Sequence, residues 1–161
     1  MNVKVQSLTA MGAGGIVIDV ECHLSNSLPN IIIVGFANKA VDEAKERLRG
    51  AFANSHLQIP RKRITIHLAP ADIPKDGSGF DLAIAASVLL ASGQIQHDFT
   101  DKEAVIGELG LDGSIRPVRG MSGKLLAGRK KGITTFFIPA ANLRQAQLVP
   151  KITLIPLQTL T

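Results

Sequence analysis

Apolar and polar residues partly alternate over positions 3–9 and again over 16–24, the period-two pattern of strands with one face in a core. Met11-Gly12-Ala13-Gly14-Gly15 lies between them, and its glycines supply turn conformations, so the two runs read as a hairpin. A dinucleotide-binding loop would need G-x-G-x-x-G between a strand and a helix, whereas a strand rich in Ile and Val follows here. After a turn over 25–30, Ile31-Ile32-Ile33-Val34 is an unbroken β-branched run. Such a run suits a strand covered on both faces and placed at the centre of a sheet.

The period then changes. From Asn38, a candidate N-cap, the residues Val41, Ala44, Leu48 and Phe52 recur at helical spacing, with Asp42, Glu43, Glu46, Arg47 and Arg49 on the other face. This predicts an amphipathic helix ending near Asn54, its polar face self-paired through Glu43 with Arg47 and Glu46 with Arg49. A strand is expected over 64–68. Positions 82–91 are apolar on almost every side and run to Gly93, as in a buried helix closed by a C-cap glycine. Strands over 104–111 and 114–118 flank Asp112-Gly113, a two-residue hairpin signal. A helix over 121–131, a strand over 135–138, a short helix over 140–148 and a last strand over 152–155 complete the chain. No repeat or low-complexity linker divides it, so one domain over 1–161 of α+β (mixed α/β) class is predicted.

At 161 residues and 45% hydrophobic, the chain is long enough to bury a core of its own. No apolar run of about 18 residues and no basic-then-apolar start occurs, so neither a membrane span nor a signal peptide is predicted, and a cytoplasmic location is expected. The single cysteine, Cys22, reads as a small strand residue in a reducing compartment. The histidines His23, His56, His67 and His97 are scattered, which predicts no metal site. Gly123-Lys124 lacks the Ser or Thr and the first glycine of a P-loop, since Leu125 and Val118 stand there. A net charge of +5 favours phosphate neutralisation, yet no Trp or Tyr and only six Phe are present for base stacking. Arg61-Lys62-Arg63, which has no acidic neighbours, is the best candidate for a DNA contact, joined by Arg116, Arg119, Arg129, Lys130 and Lys131. The competing reading is a set of strand-edge charges that keep an edge soluble.

The stretch His67 to Asp81, H-L-A-P-A-D-I-P-K-D-G-S-G-F-D, reads as a buried strand entering a Gly-rich loop that opens a helix, a loop able to hold a nucleophile or an anion. It resembles the active-site segment of Lon-type proteases, in which a histidine and six residues precede P-K-D-G-P-S-A-G with the serine as nucleophile. His67, Pro74, Lys75, Asp76 and Gly77 fall on matching positions, but Gly79 falls on the nucleophile and Ser78 on the proline. P-V-R-G-M-S-G-K-L-L at Pro117 to Leu126 is similar to the segment carrying the lysine of that Ser-Lys dyad, and it places Lys124 on the lysine. The resemblance thus implies a retained scaffold with lost chemistry. A lysine base needs a lowered pKa and a hydroxyl within reach. Gly79 offers none, and a residual hydrolase would have to turn Ser78 toward Lys124. On their own chemistry, Lys124 reads as a helix lysine with its stem on the core. His67 reads as a satisfied strand histidine and Asp81 as a first-turn carboxylate. Asp72 and Asp76 read as loop organisers bonded to backbone, together with Gly77.

Longer blocks carry a second resemblance: S-N-S-L-P-N-I-I-I-V-G-F at Ser25 to Phe36, V-D-E-A-K-E-R-L-R at Val41 to Arg49, L-A-P-A-D at Leu68 to Asp72, G-S-G-F-D-L at Gly77 to Leu82 and I-R-P-V-R-G at Ile115 to Gly120. Through these the chain is similar to the N-terminal domain of the Mg-chelatase-like AAA+ ATPases of the ComM and YifB type. The resemblance implies a Lon-protease-domain-like fold, and a following AAA+ module, absent from these residues, that carries ATP and Mg; no cofactor is expected in this domain. For competence-associated members it further implies a hexameric motor that moves along DNA and migrates branched intermediates. Within such a motor this domain would be an inactive accessory module, with the AAA+ module as partner and DNA as a second candidate partner.

Overall fold

The computed structural model describes residues 2–11 and 14–161; the Gly12-Ala13 turn inferred from sequence lies outside the described residues. Strands β1 (Asn2–Met11) and β2 (Gly14–Ser25) pair antiparallel from Asn2 with His23 to Met11 with Gly14. Strand β3 (Asn30–Val34) leads into helices α1 (Lys39–Asp42) and α2 (Ala44–Asn54), and β4 (Arg63–Ala69) follows. The four strands form one sheet in the order β1-β2-β4-β3, with β4 antiparallel to β2 and parallel to β3.

This order corrects the expectation of a central Ile31–Val34 strand. Because β4 enters between β2 and β3 after the helical crossover, β3 pairs with one neighbour and lies at the sheet edge. Only Ile31 of the run is buried, and Val34 is 43% exposed. A β-branched run records strand propensity but not the number of neighbours. The predicted helix over 38–54 is also interrupted at Glu43, which leaves α1 and α2. Asn38 does cap α1, its side-chain oxygen accepting the Val41 N–H at 3.0 Å.

One sheet face carries the main core. Val5, Ile18, Val20, Cys22, Ile31, Ile64, Ile66 and Leu68 meet Leu48 and Phe52 of α2 and helix α3 (Asp81–Ala91), which is apolar apart from Asp81 and Ser87. Helix α3 ends as its sequence predicts, with Gly93 at φ 75° and its N–H on Leu90 O at 3.1 Å. On the opposite sheet face, Leu8 and Val17 pack with Met121 and Leu125.

Beyond α3 the chain builds smaller pieces: β5 (Glu103–Val105), β6 (Glu108–Leu109), β7 (Ile115–Arg116), α4 (Met121–Lys130), β8 (Thr135–Pro139), a 3-10 turn over Ala140–Asn142, α5 (Leu143–Ala146) and β9 (Thr153–Leu157). β5, β8 and β9 form a parallel sheet, while β6 and β7 form a hairpin. The strand predicted over 104–111 is therefore two strands, because at Gly107 the backbone leaves its ladder with β8 for the loop before α3. Ile106 N–H reaches Phe137 O and Gly107 N–H reaches Gly79 O, both at 3.0 Å. The β6–β7 turn is wider than the predicted two-residue loop: Gly110 N–H bonds Ser114 O at 2.9 Å and Gly113 takes φ 88°, a three-residue loop closed by a left-handed glycine. The arrangement is mixed α+β, consistent with a Lon-like domain. Among the described residues no helix is long and apolar enough to cross a membrane.

Candidate functional site

The loop between β4 and α3 is fixed at three places. Lys75, which is fully buried, donates from Nζ to Gly35 O at 2.7 Å and to Pro70 O. Its backbone N–H bonds Phe36 O at 3.0 Å and its carbonyl accepts the Asn38 N–H at 3.1 Å. Burial lowers the Lys75 pKa, and the nearby Asp72 charge opposes the shift. Lys75 thereby ties the loop to the turn after β3, where Phe36 is held at φ 58° with 61% of its surface exposed. The second fixed point is Asp76, whose carboxylate accepts from Asn38 Nδ2 rather than from backbone. Asp72 is exposed.

The third fixed point is the start of α3. Asp81, 1% exposed, accepts from Arg47 Nε at 2.6 Å, from Arg47 Nη2 at 3.0 Å and from the Leu109 N–H at 3.1 Å. Burial pushes the Asp81 carboxyl up, opposed by Arg47 and the Leu109 N–H. Arg47 is thus drawn from the predicted Glu43 pair to a buried carboxylate that satisfies its fork. Glu46 and Arg49 do pair, at 3.0 Å.

Between these anchors, Gly79 is buried. A Cβ added there would lie 3.2 Å from Lys124 Nζ and 3.3 Å from Val118 Cγ1. The two positions that the Lon resemblance pairs therefore meet in space, with a hydrogen atom where a hydroxymethyl group would stand. Lys124 is half-buried, and desolvation lowers its pKa, the condition a general-base amine needs. Ser78 Oγ is turned to Glu108, to which it donates. His67 bonds Glu21 at 3.1 Å through Nδ1. Gly77 takes φ 88° in open space.

Sequence reasoning missed Arg47, Glu108 and Asn142. Asn142, 6% exposed, accepts the Val118 N–H at 2.9 Å and donates to Val118 O at 3.1 Å, so it sets the residue that walls Gly79. Nothing in the local sequence around Asn142 signals this, since the contact spans 24 residues.

The basic candidates fall on separate elements. Arg61, Lys62 and Arg63 stand exposed at the start of β4, while Arg116 and Arg119 flank the segment leading into α4. Arg129, Lys130 and Lys131 occupy the far end of α4, where Arg129 donates to Pro150 O at 2.9 Å. Among the described residues, no three His, Cys, Asp or Glu side chains gather where a metal ion could sit.

Comparison with known proteins gives one family and several relatives. The sequence profile of the family described as subunit ChlI of Mg-chelatase matches residues 20–142. The chain is 39% identical to the competence protein ComM of Haemophilus influenzae over 90% of its length and 28% of that protein. It is 41% identical to the uncharacterized protein YifB of Escherichia coli over 80% of its length and 25% of that protein. With Lon protease 2 of Herpetosiphon aurantiacus it shares 32% identity over 85% of its length and 17% of the protease. The chain thus spans less than a third of the length of these curated relatives.

Proposed function

Because the chain belongs to the Mg-chelatase subunit ChlI family, we propose that it is a catalytically inactive, Lon-like accessory domain that docks on the family's AAA+ ATPase ring and organises it. The observation that carries this reading is the Gly79 position: a lysine amine with a lowered pKa faces a glycine, so the base has no nucleophile to activate. Chemistry is argued from the site and not from the fold. In this reading ATP and magnesium belong to the ATPase module, and the ring is a homo-hexamer. The name of the competence relative supports a motor that works on DNA.

Docking is assigned to the end of β3. Phe36 and Val34 expose apolar surface there, and Phe36 is kept in a left-handed backbone conformation by the buried Lys75. An exposed aromatic on strained, well-anchored backbone suits an interface anchor. The test uses the full-length protein. A serine-reactive fluorophosphonate is expected to leave Ser78 unlabelled, and Phe36→Asp is expected to weaken ring assembly seen by sedimentation. Labelling of Ser78 that disappears in Lys124→Ala would overturn the inactive assignment, and unchanged assembly in Phe36→Asp would overturn the docking face.

A further inference from the structure

Two grooves adjoin at the start of β4, about as far along that strand from the Gly79 loop as the strand allows. One, of about 490 Å³, is lined by His56, Arg61 and Lys62 with the amides of Gln58 and Gln94. The other, of about 200 Å³, is lined by Arg49, Arg61 and Lys62. Arg61 and Lys62 are the ridge that both share, and among the described residues no Asp, Glu, Phe, Tyr or Trp lines either groove. The rim is pre-set: Gln58 N–H bonds Gln94 Oε1 at 3.0 Å, and Gln94 Nε2 donates to Gln58 O at 2.7 Å and Ser92 Oγ at 2.8 Å. Arg49 has a competing acid in Glu46, but that pair is solvent-exposed and so weak.

We propose that this double groove is a binding track for the sugar–phosphate backbone of a single nucleic-acid strand. A ligand with one charge at every repeat fits a cationic ridge continued on both sides, and guanidinium forks match phosphate oxygens. Without Phe, Tyr or Trp in the grooves, base stacking contributes little and the backbone carries the binding, so binding is independent of sequence. Of the basic residues singled out from sequence, only Arg61 and Lys62 belong to this track, while Arg49 and His56 join it by folding. The inference does not depend on docking to an ATPase, since it concerns a different surface.

The test is binding of the chain to fluorescent oligothymidylate over a salt series, with inorganic polyphosphate and polyglutamate as comparison polyanions. Oligothymidylate affinity should fall with salt at a log–log slope of about −0.7 for each phosphate contacted. Arg61→Ala with Lys62→Ala should weaken binding about tenfold and flatten the slope by about 1.4. Arg129→Ala with Lys130→Ala, at the far end of α4, should leave the slope unchanged. Thermal melting of the variants checks that these exposed substitutions leave the fold intact. No binding at low salt, equal losses in the two double variants, or polyglutamate or polyphosphate binding as tightly as the oligonucleotide would overturn the proposal.

Discussion

Lys75 and Lys124 are both drawn out of water and both have lowered pKa values, yet they have opposite relations to their surroundings. Lys75 is fully buried with two carbonyl acceptors on its ammonium. Lys124 points at the space over Gly79. A buried charge with its hydrogen bonds satisfied holds structure; a half-buried amine facing a glycine contributes little to stability. The contrast teaches that a loop can be firmly held while the amine beside it meets no side chain at residue 79. Three well-bonded anchors keep the loop in shape, and Gly79 places no side chain before the Lys124 amine.

Breaking the structural side of the contrast should have the largest effect. Lys75→Met leaves the carbonyls of Gly35 and Pro70 without their donor and is expected to cost about 3 kcal/mol in urea unfolding, from two unsatisfied acceptors. Asn142→Ala, which frees both backbone groups of Val118, should cost about 2 kcal/mol by the same measurement. A loss under about 0.5 kcal/mol in either variant would show that the loop is held elsewhere.

The chemical side should yield smaller changes. Lys124 binds its proton more weakly in the folded chain than in the unfolded chain, where the ordinary value of 10.5 applies. Between the lowered value and 10.5 the unfolded state holds more protons, so this residue makes stability rise with pH across that window. Lys124→Met should flatten the rise by some fraction of about 1.4 kcal/mol per pH unit. Stability profiles of the two proteins that run parallel from neutral pH to about pH 10 would remove the claim that burial depresses this amine. Gly79→Ser should change stability least, within about 1 kcal/mol, because the flexible end of Lys124 can yield to a new Cβ. Its readout is labelling: the variant should react with a serine-directed fluorophosphonate and lose that reaction when Lys124→Ala is added. A Gly79→Ser protein that folds but stays unlabelled would mean that more than one hydroxyl separates this site from an active one.

Much of this was legible in the chain because it depends on neighbours in sequence. The β1–β2 hairpin, the Asn38 cap and the glycine stop after α3 follow from local pattern and turn chemistry. The edge position of β3, the break at Gly107 and the transfer of Arg47 to Asp81 depend on elements far apart in sequence, and periodicity carries no information on those. At the site, the meeting of Gly79 with Lys124 could be anticipated from matching motifs. The burial of Lys75 could not, since a lysine between Pro74 and Asp76 reads as solvated until the turn after β3 is folded over it.

Gly107 gives the loop a mechanical property. Its N–H is bonded to Gly79 O and its carbonyl accepts the Leu82 N–H, both at 3.0 Å, so the passage from β5 to β6 acts as a rivet through the loop and the first turn of α3. For Gly79 to swing outward, its carbonyl must give up the Gly107 N–H or carry the β5–β6 passage with it. In deuterium exchange the Leu82 and Gly107 amides should therefore open in a single cooperative event. A partner that grips the small sheet would stiffen the surroundings of Gly79 and Lys124 without touching them.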